Sequence, residues 1–203
     1  MSHRPIIDAG PGLNFLSIHQ ESPHRSLGEI ECSGGCAERG VHKVAAGRAF
    51  PSCCGGLAEA DPRWLRVLSD DETPELAAVV QRITYQPLAE RLKRPKDLGE
   101  VMVIAHAVVA AEAGQEVTVL IDDGQGAQTA TAEINRLERI RRSGRPVGSI
   151  KLVSTLTVLE RAVQKEYIAG RADMRRLYQR LRELDDGLPP IEATSLLSPA
   201  LWT

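Results

Sequence analysis

Aromatic residues make up only 3% of the 203-residue chain, too few for the stacking rows on which single-strand binders lay successive bases. No apolar run approaches the roughly 20 residues that a helix needs to cross a bilayer. The N-terminal MSHRPIIDAG holds too short an apolar stretch for a secretory signal. Together these absences predict a cytoplasmic protein with no membrane partner. Excess charge of one sign is lacking too. A formal net charge of -2 leaves no global footprint for nucleic acid, although Arg139 to Arg145 (RIRRSGR) is locally basic. The chain has no G-x-x-x-x-G-K-[ST] phosphate loop and no G-x-S-x-G elbow, and Gly10-Pro-Gly12 is too short for a dinucleotide-binding turn.

Cysteine is scarce and confined to Cys32, Cys36, Cys53 and Cys54. The chain is neither short nor exported, so these do not read as a disulfide framework. With His24 and His42 nearby the cysteines sketch a zinc module, but the adjacent Cys53 and Cys54 fit structural zinc poorly, because each ligand pair there usually has a gap. No histidine-paired context marks any of them as a nucleophile.

What is present suits one domain over residues 1–203. An apolar share of 42% and a charged share of 26% are those of an ordinary globular protein with a real core. Arg4 to Asp8, Pro62 to Leu68, Val117 to Asp122 and Ile150 to Ser154 read as short apolar strands. Helices are expected over Glu75 to Lys93 with a break at Pro87, Asp97 to Ala113, Ala127 to Arg142, Thr155 to Ala169 and Arg171 to Leu184. The second of these is apolar nearly all round and must be buried on most sides, with Gly114 as its stop. Strands alternating with helices predict an α/β fold with a central parallel sheet flanked by helices. Ser22 to Ala60 breaks the pattern. It holds seven of the 17 glycines and every cysteine and carries neither period, so it reads as loop or disordered. Periodicity stops after Glu21 and resumes near Asp61, which suggests a divergent or reading-frame-shifted replacement of an ordinary helical region. Translation of the encoding DNA in its other two frames tests the frameshift.

Ligands of parallel sheets bind outside the carboxyl ends of the strands, and acids stand there. Asp8 closes the first strand, Asp122 and Asp123 close a later one, and Glu100 lies in the first turn of the buried helix before that strand. Clustered carboxylates repel, so a divalent cation is their natural partner. Hard oxygen donors select Mg2+ or Mn2+ over zinc. Each acid also has a plainer reading. Asp97-Leu-Gly-Glu100 can be a capping box, Asp122 or Asp123 can cap the following helix, and Asp8 can form a turn before Gly10-Pro-Gly12. His106, mid-helix on an apolar stretch, reads as a satisfied core histidine.

Ile6-Ile-Asp-Ala-Gly-Pro11, Asp97-Leu-Gly-Glu100 opening an alanine-rich helix, and Val119-Leu-Ile-Asp-Asp123 resemble the three acidic motifs of PIN domains, the fold of VapC-type toxin ribonucleases. Val153 to Ala162 resembles the family's late strand-to-helix turn, and Leu188-Pro-Pro-Ile191 its C-terminal end. The likeness covers about residues 4–20 and 62–198. It implies a three-layer fold and a metal-dependent endoribonuclease, the toxin of a toxin-antitoxin pair, forming homodimers and inhibited by a small antitoxin protein. Asp8, Glu100 and Asp122 would hold Mg2+ or Mn2+, Asp123 would stand in for Asp122, and Thr155 would orient water or a ligand. No further cofactor is implied. PIN domains usually add a Glu from the region matching Ser22 to Ala60, where Glu29, Glu31 and Glu38 are the candidates. Without that acid the same fold would serve as a binding or interaction module.

Overall fold

The computed structural model describes residues 6–7, 30–33, 65–122, 124–184 and 187–202. Its strands are β1 (Ile6–Ile7), β2 (Ile30–Ser33), β3 (Leu65–Leu68), β4 (Glu116–Leu120) and β5 (Ser149–Val153). They form one parallel sheet in the order β3-β2-β1-β4-β5. From β1 the chain steps one way through β2 to β3, then returns to the other flank of β1 for β4 and β5. The order therefore reverses between β1 and β4, with Ile7 in register with Leu120. Ile30–Ser33, in the segment whose sequence shows no period, supplies β2 between β1 and β3. Backbone pairing decides that strand, and four residues are too few to leave a side-chain signature.

The helices are α1 (Pro74–Thr84), α2 (Leu88–Leu92), α3 (Leu98–Glu112), α4 (Gly124–Arg142), α5 (Thr155–Gln164) and α6 (Arg171–Leu184). At the start of α1 the Thr73 hydroxyl accepts from the Leu76 amide at 3.2 Å, and Pro74 occupies the first turn, where its missing N–H costs nothing. Pro87 separates α1 from α2, as its ring requires.

The all-round apolar sequence of α3 has its reason in the fold. This helix packs on β1, β2, β4 and β5 and also against α1 and α4. Met102, Val103, Ile104, Ala105, Ala107, Val108 and Ala111 are all buried. Burying each larger aliphatic among them contributes about 1.5–3 kcal/mol. Gly114, at φ +89°, ends the helix in the left-handed region where a side chain is disfavoured.

Helix α4 begins at Gly124, three residues before the position that its amphipathic pattern marks. Gly124-Gln-Gly126 reads as a turn in sequence, whereas tertiary packing makes it the first helical turn. The C-terminal segment folds back as three short 3-10 turns, Ile191–Ala193, Ser195–Leu197 and Pro199–Leu201. Leu196 is wholly buried, the Tyr178 hydroxyl donates to the Pro189 carbonyl at 2.8 Å, and the Trp202 indole donates to the Leu196 carbonyl at 2.8 Å.

Candidate active site

Parallel strands and short turns fix which residues meet at the carboxyl edge. Leu120 is in register with Val153, and the Ile121 amide extends the ladder by donating to the Val153 carbonyl at 3.1 Å. Asp122 thereby comes level with Thr155, the first residue of α5. The Thr155 amide donates to Asp122 Oδ1 at 2.7 Å, and its hydroxyl donates to Oδ2. Thr155 is 2% exposed, so this pair of bonds is shielded from water and holds the carboxylate plane in one orientation. Asp122 therefore caps the amino end of α5 from a neighbouring strand. Ser154 is the local N-cap, its hydroxyl accepting from the Thr157 amide at 3.3 Å. A carboxylate carries about four lone-pair positions, and Thr155 takes two of those on Asp122.

Glu100 lies in the first turn of α3 and is half-buried. Its carboxylate reaches the first turn of α4, where a Cβ built on Gly126 would stand 2.6 Å from Oε1 and 2.8 Å from Cδ. Only glycine leaves that space. The capping-box reading of Asp97-Leu-Gly-Glu100 is not realised. Asp97 occupies the N-cap position in the left-handed region (φ 53°), and its side chain makes no capping bond. Glu100 instead meets the amino end of a different helix. Gly126 lies four residues beyond Asp122, so both acids belong to the amino-terminal approach of α4.

Asp8 follows Ile7 directly in the chain. Asp8 and Asp123 lie outside the described residues, as do Glu29, Glu38, Cys36, Cys53 and Cys54. Glu31 and Cys32 belong to β2. Among the described residues no three His, Cys, Asp or Glu side chains form a metal-ligating group. Glu100 and Asp122 carry hard oxygen donors of the kind that Mg2+ and Mn2+ take.

His106 is not left to apolar packing alone. Its Nε2 lies 2.9 Å from Asp70 Oδ1, with both side chains about 15% exposed, so α3 is tied to the turn that leaves β3. Asp70 escapes sequence reading because it sits in a run of acids, Asp70-Asp-Glu72, that looks like a solvated turn.

A second polar cluster fixes the two helices that carry the site's amino ends. Glu133 on α4 is buried and accepts from Arg82 Nε at 3.2 Å, Arg82 Nη2 at 2.9 Å and Arg136 Nε at 2.8 Å. Glu112, at the end of α3, accepts from Arg82 Nη2 at 3.3 Å and from Arg136. Burial alone would raise the Glu133 carboxyl pKa. The hydrogen bonds and charges of Arg82 and Arg136 outweigh burial and hold it below the usual glutamate range. The cluster thus joins α1, α3 and α4 through ionised groups.

Comparison of the chain with protein-family models, with curated proteins and with solved structures finds no match. Among the described residues no helix is long and apolar enough to cross a membrane.

Proposed function

We propose that the protein is a PIN-type, metal-dependent endoribonuclease of three-layer architecture, acting as the toxin of a toxin-antitoxin pair, dimeric and inhibited by a small protein partner. The observation that carries this reading is that two acids distant in sequence stand at the amino end of α4, Glu100 with its carboxylate against Gly126 in the first turn and Asp122 two residues before the helix, beside the reversal of strand order. In open parallel sheets that reversal point forms the ligand crevice. Asp8, which follows the strand in register with β4, is the third acid.

In this reading Asp8, Glu100 and Asp122 hold Mg2+ or Mn2+, with Asp123 the alternative to Asp122. The bound ion would supply an activated water and offset charge on the scissile phosphate. The chain's own part is orientation. Thr155 fixes the orientation of the Asp122 carboxylate through its amide and its hydroxyl, and Gly126 leaves room for the Glu100 carboxylate at the amino end of α4.

The test is cleavage of single-stranded RNA by purified protein in Mg2+ or Mn2+, with chelator as control and Asp8→Asn as comparison. Metal-dependent cleavage by wild type, lost in the variant, supports the assignment. Cleavage that persists unchanged in Asp8→Asn sinks it, and a wild type that cleaves nothing while still binding RNA favours a binding module on the same fold.

A further inference from the structure

A nuclease site made of carboxylates repels its polyanionic substrate, and a net charge of -2 supplies no general attraction to offset that. Local cations must bring the phosphates in. The loop between α2 and α3 has the chemistry for this task. Lys93-Arg-Pro-Lys96 places three cations in four residues, all exposed, and runs straight into Asp97 and the helix turn bearing Glu100. Lys93 is partly spent on Glu90 at 2.7 Å, whereas Arg94 and Lys96 form no ion pair among the described residues.

A basic run is most often a solvated surface, and its charge alone would decide nothing. The deciding feature is underneath. Arg91 is 7% exposed, and its guanidinium is turned to the inner side of this loop, donating from Nη1 to the Arg94 carbonyl and from Nη2 to the Lys96 carbonyl at 2.6 Å. Burying a guanidinium is costly unless its donors are used. Here they are used to fix the backbone of the two residues whose side chains point out. Pro95 stiffens the same turn, and Asp97 closes it in the left-handed region (φ 53°).

We propose that Arg94 and Lys96, held by Arg91, form a preorganised phosphate-binding rim that grips the RNA backbone beside the acidic site. The proposal rests on the ribonuclease reading for its choice of ligand. Arg94 and Lys96 are positioning residues: they carry no step of the reaction and act by holding neighbouring phosphates, so the scissile one meets Glu100 and Asp122. Arg91 acts one layer further in, through the loop.

Fluorescence anisotropy with a labelled single-stranded RNA, in EDTA so that cleavage does not intervene, tests the rim. Wild type is compared with an Arg94→Glu, Lys96→Glu variant and with an Arg175→Glu, Arg180→Glu control of equal charge change on α6, where both arginines are exposed. The expected result is at least tenfold weaker binding by the loop variant than by the control at 50 mM salt. Losing two phosphate contacts should also make the salt dependence shallower by about 1.4 in log–log slope. In metal, the loop variant should raise KM and keep kcat. Equal affinity of loop variant and wild type overturns the proposal even if cleavage persists, whatever protein partner the loop then serves, as does a wild type that binds no RNA. A wild type that binds RNA through the loop but never cleaves it upholds the rim and overturns the nuclease reading instead.

Discussion

The Glu100 carboxylate occupies the place where a side chain on Gly126 would begin, with Oε1 2.6 Å from that Cβ position. Gly126→Ala therefore sets two effects against each other. Within a helix, alanine gains roughly 0.5–1 kcal/mol over glycine. The new methyl must push the end of a flexible glutamate aside, which costs little stability but moves the carboxylate. The expected outcome is a melting temperature that is unchanged or slightly raised, with Mn2+ affinity by calorimetry at least tenfold weaker. Unaltered metal affinity would separate Glu100 from the site.

Gly148 provides the contrast. A Cβ there would stand 1.8 Å from the backbone oxygen of Gln115, and neither backbone can yield as a side chain does. Gly148 also donates to the Ala111 carbonyl at 2.7 Å. Gly148→Ala should cost about 3 kcal/mol in chemical denaturation, with much of the entry to β5 displaced.

Thr155→Val keeps shape and the backbone donor but removes the hydroxyl that bonds Asp122. Losing one hydrogen bond to a charged acceptor costs about 1.5–3 kcal/mol. Metal affinity should fall with stability, and Thr155→Ser should restore both. Rescue of stability without rescue of metal binding would confine Thr155 to a structural role.

The Glu133 cluster predicts a pH dependence. The folded-state pKa of Glu133 lies below its ordinary value, so its contribution to stability is full above the unfolded pKa and is lost as pH falls through the folded one. Glu133→Gln should be less stable than wild type near pH 7, by about 2 kcal/mol, because Arg82 and Arg136 lose their buried charged acceptor and keep only Glu112 as a shared ionised one. The difference should shrink as pH drops below 4. Urea unfolding at pH 7 and pH 3.5 measures it, and an undiminished difference at low pH would show that ionisation of Glu133 is not what stabilises the cluster.

Much of this architecture is legible in the sequence because period and burial agree. The apolar run 101–111 has no polar face and becomes the helix that the sheet and two helices enclose, and Arg171–Leu184 begins and ends where its pattern does. Legibility ends where tertiary partners override local chemistry. Gly124-Gln-Gly126 looks like a turn because glycine is a poor helix former, but the Glu100 carboxylate needs that gap. Asp97 and Glu100 have the spacing of a capping box, yet Asp97 turns left-handed and Glu100 faces another helix. Arg91 looks like one more surface cation, and only its burial reveals the brace. Asp122 and Thr155 stand 33 residues apart, and nothing local in either segment announces the bond between them.

Metal dependence gives an early check. A metal that binds the folded chain alone raises its stability by mass action, so millimolar Mg2+ or Mn2+ should raise the melting temperature of wild type and leave Asp122→Asn unmoved. No shift in wild type would count against a metal site.

The most direct measurement is single-turnover cleavage of a single-stranded RNA in Mn2+ by wild type, Glu100→Gln and Asp122→Asn, each first verified as folded. The predicted result is metal-dependent cleavage by wild type that falls at least a hundredfold in both variants, about 2.7 kcal/mol or more of lost transition-state stabilisation. Cleavage at the wild-type rate by either variant would contradict the account.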